Sequence, residues 1–298
     1  MSKATDKPAA PKAEEKQPGQ QVAQRTTGTA LAEADFGDDA GAGLENVTAA
    51  ERAIPFFRIL QSNNPQVKDP RQGGMPGAKP GMILNLGSGE LFDGVDGIPF
   101  IPVHRDHNFP EWTPREAGGG FVGIRAADDP LVLELQAQFG KFGKLPNGVT
   151  KRNDKGQALD GTELTETYYL YGLATEEYVP ALVAFTSTQV KKYRNFMNRV
   201  TSFKYKQGEA TVVPPMWAHR WLLKTVPESN KSGDFFGWNL TLFSKNEDGS
   251  EAPYINSLIP RSDPLYAQAK DLYQAIAENR VKVDHNQDKQ QGDEAPPM

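Results

Sequence analysis

Apolar residues are spread unevenly along this chain, and their spacing predicts where order begins. Residues 1–45 offer almost no large apolar side chains beyond Leu31 and Phe36. Such a stretch cannot bury enough surface to offset its ordering entropy, so it reads as a disordered tail. Order begins with the dense run Ile54 to Leu60. A Gly- and Pro-rich loop follows from Pro70 to Gly81. Met82 to Leu86 and Ile98 to Val103 then read as short strands punctuated by Gly-rich turns. Thr165 to Leu173 and Ala181 to Thr186 are stronger strands, rich in aromatic and β-branched residues. Their short connection predicts an antiparallel pair. His219 to Thr225 and Gly237 to Phe243 read as further strands.

The pattern changes period in two places. From Pro264 to Glu278, Leu265, Ala269, Leu272 and Ile276 recur at spacings of four, three and four, which predicts a helix. Thr186-Ser187-Thr188-Gln189 has the form of a capping box with Thr186 as N-cap. It opens a predicted helix from Ser187 to Phe203, with Val190, Tyr193, Met197 and Val200 as its docking stripe. After Val283 the chain is polar again. The expected organisation is a tail over 1–45, one β-rich domain over 46–283 and an acidic disordered tail over 284–298. Many short strands with one or two helices imply an α+β, β-rich fold with an OB-like barrel core.

Charge sharpens this picture. The 298 residues carry a net charge of −5. From Gln189 to Lys231, however, nine basic residues face two acidic ones, whereas Asn85 to Thr188 holds eight basic and fifteen acidic. The positive excess falls largely on the predicted helix, whose outward arc carries Lys191, Lys192, Arg194, Asn195, Asn198 and Arg199. Phe196 and Phe203 border that arc, and Lys204, Lys206 and Arg220 extend it. Trp217, Trp221, Phe235, Phe236 and Trp238 lie close by in sequence. Cations beside rings suit single-stranded nucleic acid: the cations neutralise phosphates and the rings stack on bases. The expected binding residues are therefore Lys191, Lys192, Arg194, Arg199, Phe196, Lys204, Lys206, Trp217, Arg220 and Trp221. A solvated helix face above a core of aromatics would produce the same pattern.

Catalytic signals are weak. With no cysteine, thiol catalysis and disulfides are excluded. No phosphate-binding Gly-rich loop or dinucleotide fingerprint occurs. His104 and His107, beside Asp106 and Glu111, read as loop histidines rather than a metal site. Asp160, Glu163 and Glu166, with Lys191, faintly resemble a one-metal nuclease arrangement. Gly118-Gly119-Gly120 reads as a structural turn. No cofactor is implied. The chain has no apolar run long enough to span a membrane and no signal-peptide core, so an intracellular, cytoplasmic location is expected.

Several stretches carry a family resemblance. AGAGLENVTAAERAIPFFRILQSNNPQV, PGAKPGMILN, GIPFIPV, EWTPREAGGGFVG, TSTQVKKYRNFMNRV and VVPPMWAHRWLLKT resemble a family of tailed-phage early-region proteins, similar in character to phage single-stranded DNA-binding proteins. The resemblance covers about Asp39 to Val283. It implies stoichiometric coating of single-stranded DNA during phage replication or recombination. Phage replication proteins could be recruited through the tail that holds Asp284, Asp288, Asp293 and Glu294, and homo-oligomerisation is possible under it. The rival readings are a metal-dependent DNA-processing nuclease and a phage structural or host-interaction protein.

Overall fold

A computed structural model describes residues 42–43, 53–141, 143–230, 233–243 and 254–285. The expected tails, 1–45 and 284–298, lie outside these residues except for Ala42, Gly43, Asp284 and His285; so does Lys231. Short strands β1 (Ala53–Ile54), β2 (Phe57–Ile59), β3 (Ile83–Asn85) and β4 (Leu91–Phe92) precede a long strand, β5 (Ile98–Thr113). Strand β6 (Gly120–Ala126), helix α1 (Pro130–Phe139), β7 (Lys144–Asn147) and β8 (Thr162–Thr165) come next. Then follow β9 (Thr167–Ala174), β10 (Val179–Thr186), helix α2 (Val190–Ser202) and a hairpin of β11 (Tyr205–Gln207) and β12 (Ala210–Val212). Strands β13 (Trp221–Asn230) and β14 (Gly233–Leu242), helix α3 (Pro264–Ala277) and β15 (Lys282–Val283) complete the order.

The fold is α+β and β-rich, as the sequence predicts. Its main sheet runs β10-β9-β5-β13-β14, antiparallel at every step, and curls into a half-barrel. Strands β9 and β10 pair directly from Thr167–Thr186 to Ala174–Val179. Alternation along them sends residues to opposite faces. Leu170, Ala174, Ala181, Val183 and Phe185 join α2 in one core. Tyr169, Tyr171, Leu173, Leu182 and Ala184 join α3 in the other. Helix α3 spans the predicted range and buries Leu265, Ala269 and Ile276, with Leu272 packed against the same core. Asp263 caps it, accepting from the Leu265 N–H at 3.0 Å.

Strand β5 differs most from expectation. Only its first six residues read as a strand, and His104 and His107, read as loop histidines, lie on its continuation. The register shifts between Pro102 and His104, a bulge where a residue lacking an N–H is tolerated, and the strand continues to Thr113. The extension carries a satellite lobe of β6, β7, β8 and α1. Its core holds Phe109, Val132, Leu135, Leu145 and Leu164. Buried Glu111 is its polar hub, accepting from Arg125 at 2.9 Å, Asn147 at 2.8 Å and Thr162 at 2.5 Å. Helix α1 has a legible start that the apolar spacing alone passed over: Asp129 caps it, Pro130 occupies its first turn and Gly140 ends it.

Two side chains close the free edge of β14. Gln61 donates to the Phe236 carbonyl and accepts from its N–H, both at 2.9 Å. Gln189 accepts from the Trp238 N–H at 2.8 Å. That contact also explains why the capping box does not form. Gln189 is drawn to β14 instead, and Thr186 makes no side-chain cap bond.

Candidate nucleic-acid interface

Helix α2 packs on the curled sheet because its apolar residues repeat on one side. Val190, Tyr193, Phe196 and Val200 are buried there, and Met197 is partly buried. The predicted stripe is therefore present but wider: Phe196 belongs to it. Phe196 is 4% exposed and meets Trp221 edge-on at 4.8 Å between ring centroids. Trp221 is itself 1% exposed. Neither ring can reach a base, and Phe203 and Trp238 are buried in the same core. The stacking role expected of Phe196 and Trp221 is corrected on this ground: their large apolar surfaces gain more from burial than from standing beside a charged arc. Trp217 is half-buried on the other face, between Tyr266 at 6.2 Å and Tyr273 at 5.0 Å.

The cations divide into engaged and open groups. Lys192 Nζ lies 2.6 Å from Glu228 Oε1, and Arg220 binds Asp263 at 2.9 Å, fastening β13 to the start of α3. Arg194 is exposed, lies over the Tyr168 ring at 5.9 Å, and sits 3.6 Å from Glu166. Arg199 is exposed and lies over the Trp221 ring at 5.9 Å. Lys191, Lys204 and Lys206 are exposed, and none of them has an ion pair among the described residues. Lys191, Arg194, Asn195, Asn198 and Arg199 share the outward side of α2, which contains no acidic residue. Lys204 and Lys206 continue it onto the β11–β12 hairpin.

Beside α2 lies a cluster that sequence spacing did not bring together. His107 of β5 stands opposite Tyr168 of β9, and their rings stack at 4.2 Å. Tyr168 stacks in turn on Tyr193 of α2 at 4.5 Å. Glu166 Oε1 receives His107 Nε2 at 3.2 Å and the Tyr168 hydroxyl at 3.1 Å. Burial pushes the Glu166 carboxyl up, but these hydrogen bonds and the nearby His107 and Arg194 charges outweigh it and hold the pKa below the usual range. The unread half of β5 hid this cluster, since no period in the sequence places His107 across from Tyr168.

The candidate catalytic groups are dispersed. Asp160 caps a turn through Thr150 and Lys151, Glu163 pairs with Lys144 at 3.1 Å, and Glu166 faces α2. His104 bonds Asp106 at 3.0 Å. No group of three or more His, Asp or Glu side chains that could hold a metal occurs among the described residues. A Tyr205–His219–Ser257 chain, with contacts of 2.9 and 2.7 Å, has the form of a hydrolytic relay. Ser257 and His219 are buried, and the chain ties β11 to the segment before α3. Gly118, Gly119 and Gly120 all have positive φ and form the predicted turn into β6. No helix among the described residues is long and apolar enough to cross a membrane.

Comparison with curated proteins finds no match, and neither does comparison with solved structures. The family described as Pam3 phage gp34-like protein matches residues 24–282, nearly all of the domain delimited above. The bacteriophage character that the sequence resemblance implied is thereby established, and the chain belongs to the Pam3 phage gp34-like protein family.

Proposed function

We propose that this protein binds single-stranded DNA stoichiometrically, without catalysis, during phage DNA replication or recombination. The observation that carries the reading is the acid-free outer side of α2. Lys191, Arg194 and Arg199 alternate there with Asn195 and Asn198, and the open Lys204 and Lys206 follow on the hairpin. Such a track attracts a phosphate backbone by charge and counterion release. Because Phe196, Phe203 and Trp221 are buried, the attraction rests on the backbone more than on base stacking. In the same proposal the half-barrel acts as an OB-like platform in the host cytoplasm, and the acidic C-terminal segment recruits replication proteins.

A fluorescence titration with a single-stranded oligonucleotide of about 30 residues tests this. Five open or lightly held cations give an expected log–log salt slope of about −3.5. The double variant Lys191→Glu, Arg199→Glu should abolish binding while keeping the melting temperature. No complex at low salt, or a complex indifferent to both charge reversals, rules the reading out.

A further inference from the structure

The outer strands of the main sheet and its satellite lobe are β10, β14, β7 and β6. Three of these edges are closed. The Pro55 carbonyl accepts from the Leu182 N–H of β10 at 2.9 Å. Gln61 and Gln189 cover β14. Strand β7 carries Pro146, which has no N–H to offer. Strand β6 has none of these covers: it pairs only with β5 and contains no proline. Its one charged side chain, Arg125, is held by Glu111 at 2.9 Å and Asp129 at 3.5 Å. A bulge leaves Val122 opposite no residue of β5, yet burial alternates without a break from Phe121 to Ala126. Val122, at 54% exposure, and Ile124, at 39%, therefore form a regular outward row. An apolar row beside an unpaired backbone edge is a template for another strand. Leu133, Phe139 and Leu159 belong to the same lobe. It thus holds five of the eight large apolar side chains exposed among the described residues, which marks it as a surface built to be covered.

We propose that β6 is the self-association edge of this protein, pairing antiparallel with β6 of a second copy about a two-fold axis at Gly123. Gly123 is the middle of the seven-residue strand, so this axis alone overlaps the two strands in full. It sets Val122 of one copy opposite Ile124 of the other, on the same exposed face, and Phe121 opposite Arg125. No like charges meet, and the Arg125 charge stays with its own Glu111 and Asp129. A foreign strand would need a matching apolar row of its own, whereas a second copy brings one that fits by symmetry. A seven-residue strand pair buries less than the roughly 1,200–2,000 Å² of a stable complex, so the dimer forms with a dissociation constant of about 10–100 μM. This edge lies on a different lobe from the α2 track and does not depend on the DNA-binding reading.

Sedimentation velocity of the full chain from about 5 to 300 μM tests the pairing. The wild type should shift from monomer toward dimer across that range. Val122→Lys combined with Ile124→Lys sets like charges opposite each other and should leave only monomer at the highest concentration. Val122→Lys combined with Ile124→Glu sets each new lysine opposite a new glutamate of the other copy. That variant should keep the dimer, with a dissociation constant within about threefold of the wild type. Both positions are exposed, so the denaturation midpoint of each variant should match that of the wild type. A wild type that stays monomeric throughout overturns the pairing. So does any result in which the charge-matched variant fails to associate better than the like-charged one, since only this register separates the two.

Discussion

Acidification should destabilise the domain through one residue, His219. The imidazole is 2% exposed and lies between the Tyr205 hydroxyl at Nε2 and Ser257 Oγ at Nδ1. Burial pushes its pKa down from 6.5 to about 4. Above pH 6.5 the ring is neutral in both folded and unfolded chains, and its titration leaves stability unchanged. As pH falls below 6.5 the unfolded chain takes up a proton that the folded chain refuses. Stability then declines until the folded ring also protonates near pH 4. At about 1.4 kcal/mol per pH unit, the full loss is about 3 kcal/mol, a large share of a domain's net stability. Urea unfolding near pH 7 and near pH 4, on the wild type and on His219→Gln, isolates this contribution from the carboxylates and from His285. The wild type should lose about 3 kcal/mol more than the variant across that interval. Equal losses in the two proteins would show that His219 is not held neutral and would refute the argument.

Two further outcomes follow from the packing. Phe196→Ala should cost about 3–5 kcal/mol by emptying the space against Trp221, read as a lowered denaturation midpoint. A variant of full stability that has lost only DNA affinity would restore Phe196 to the binding surface. Gln61→Leu leaves the Phe236 N–H and carbonyl without their partner and should cost about 1–3 kcal/mol. Faster exchange of the Phe236 amide should accompany that loss, and unchanged protection would mean that the edge is closed by something else.

Much of the fold was legible because local signals and burial agreed. The β9–β10 pair combines β-branched and aromatic residues with a short connection. Helix α3 pairs an Asp-Pro start with spacings of four, three and four. Where signals conflicted, reading stopped early. The strand reading of β5 stopped at Val103, although a bulge carries the strand ten residues further to Thr113. The capping box before α2 was sound as local chemistry, but Gln189 found a better partner in β14. Of the interface, the cations of α2 were readable one by one, and the meeting of His107, Tyr168 and Glu166 beside Arg194 was not.

The sequence by itself determined the β-rich class, the two long helices, the bacteriophage character and the concentration of positive charge between Gln189 and Lys231. These depend on composition and on periods of two and 3.6, which act over a few residues. Tertiary structure decided which charges remain available and which rings are buried. Lys192 and Arg220 found carboxylates 36 and 43 positions away, and Phe196 and Trp221 turned into the core between α2 and the sheet. Whether a cation is paired or an aromatic ring is buried depends on what the rest of the chain places beside it, and no spacing within the segment encodes that neighbour. The basic segment thus remains the centre of the proposed function, as an electrostatic track whose aromatic residues hold it to the sheet.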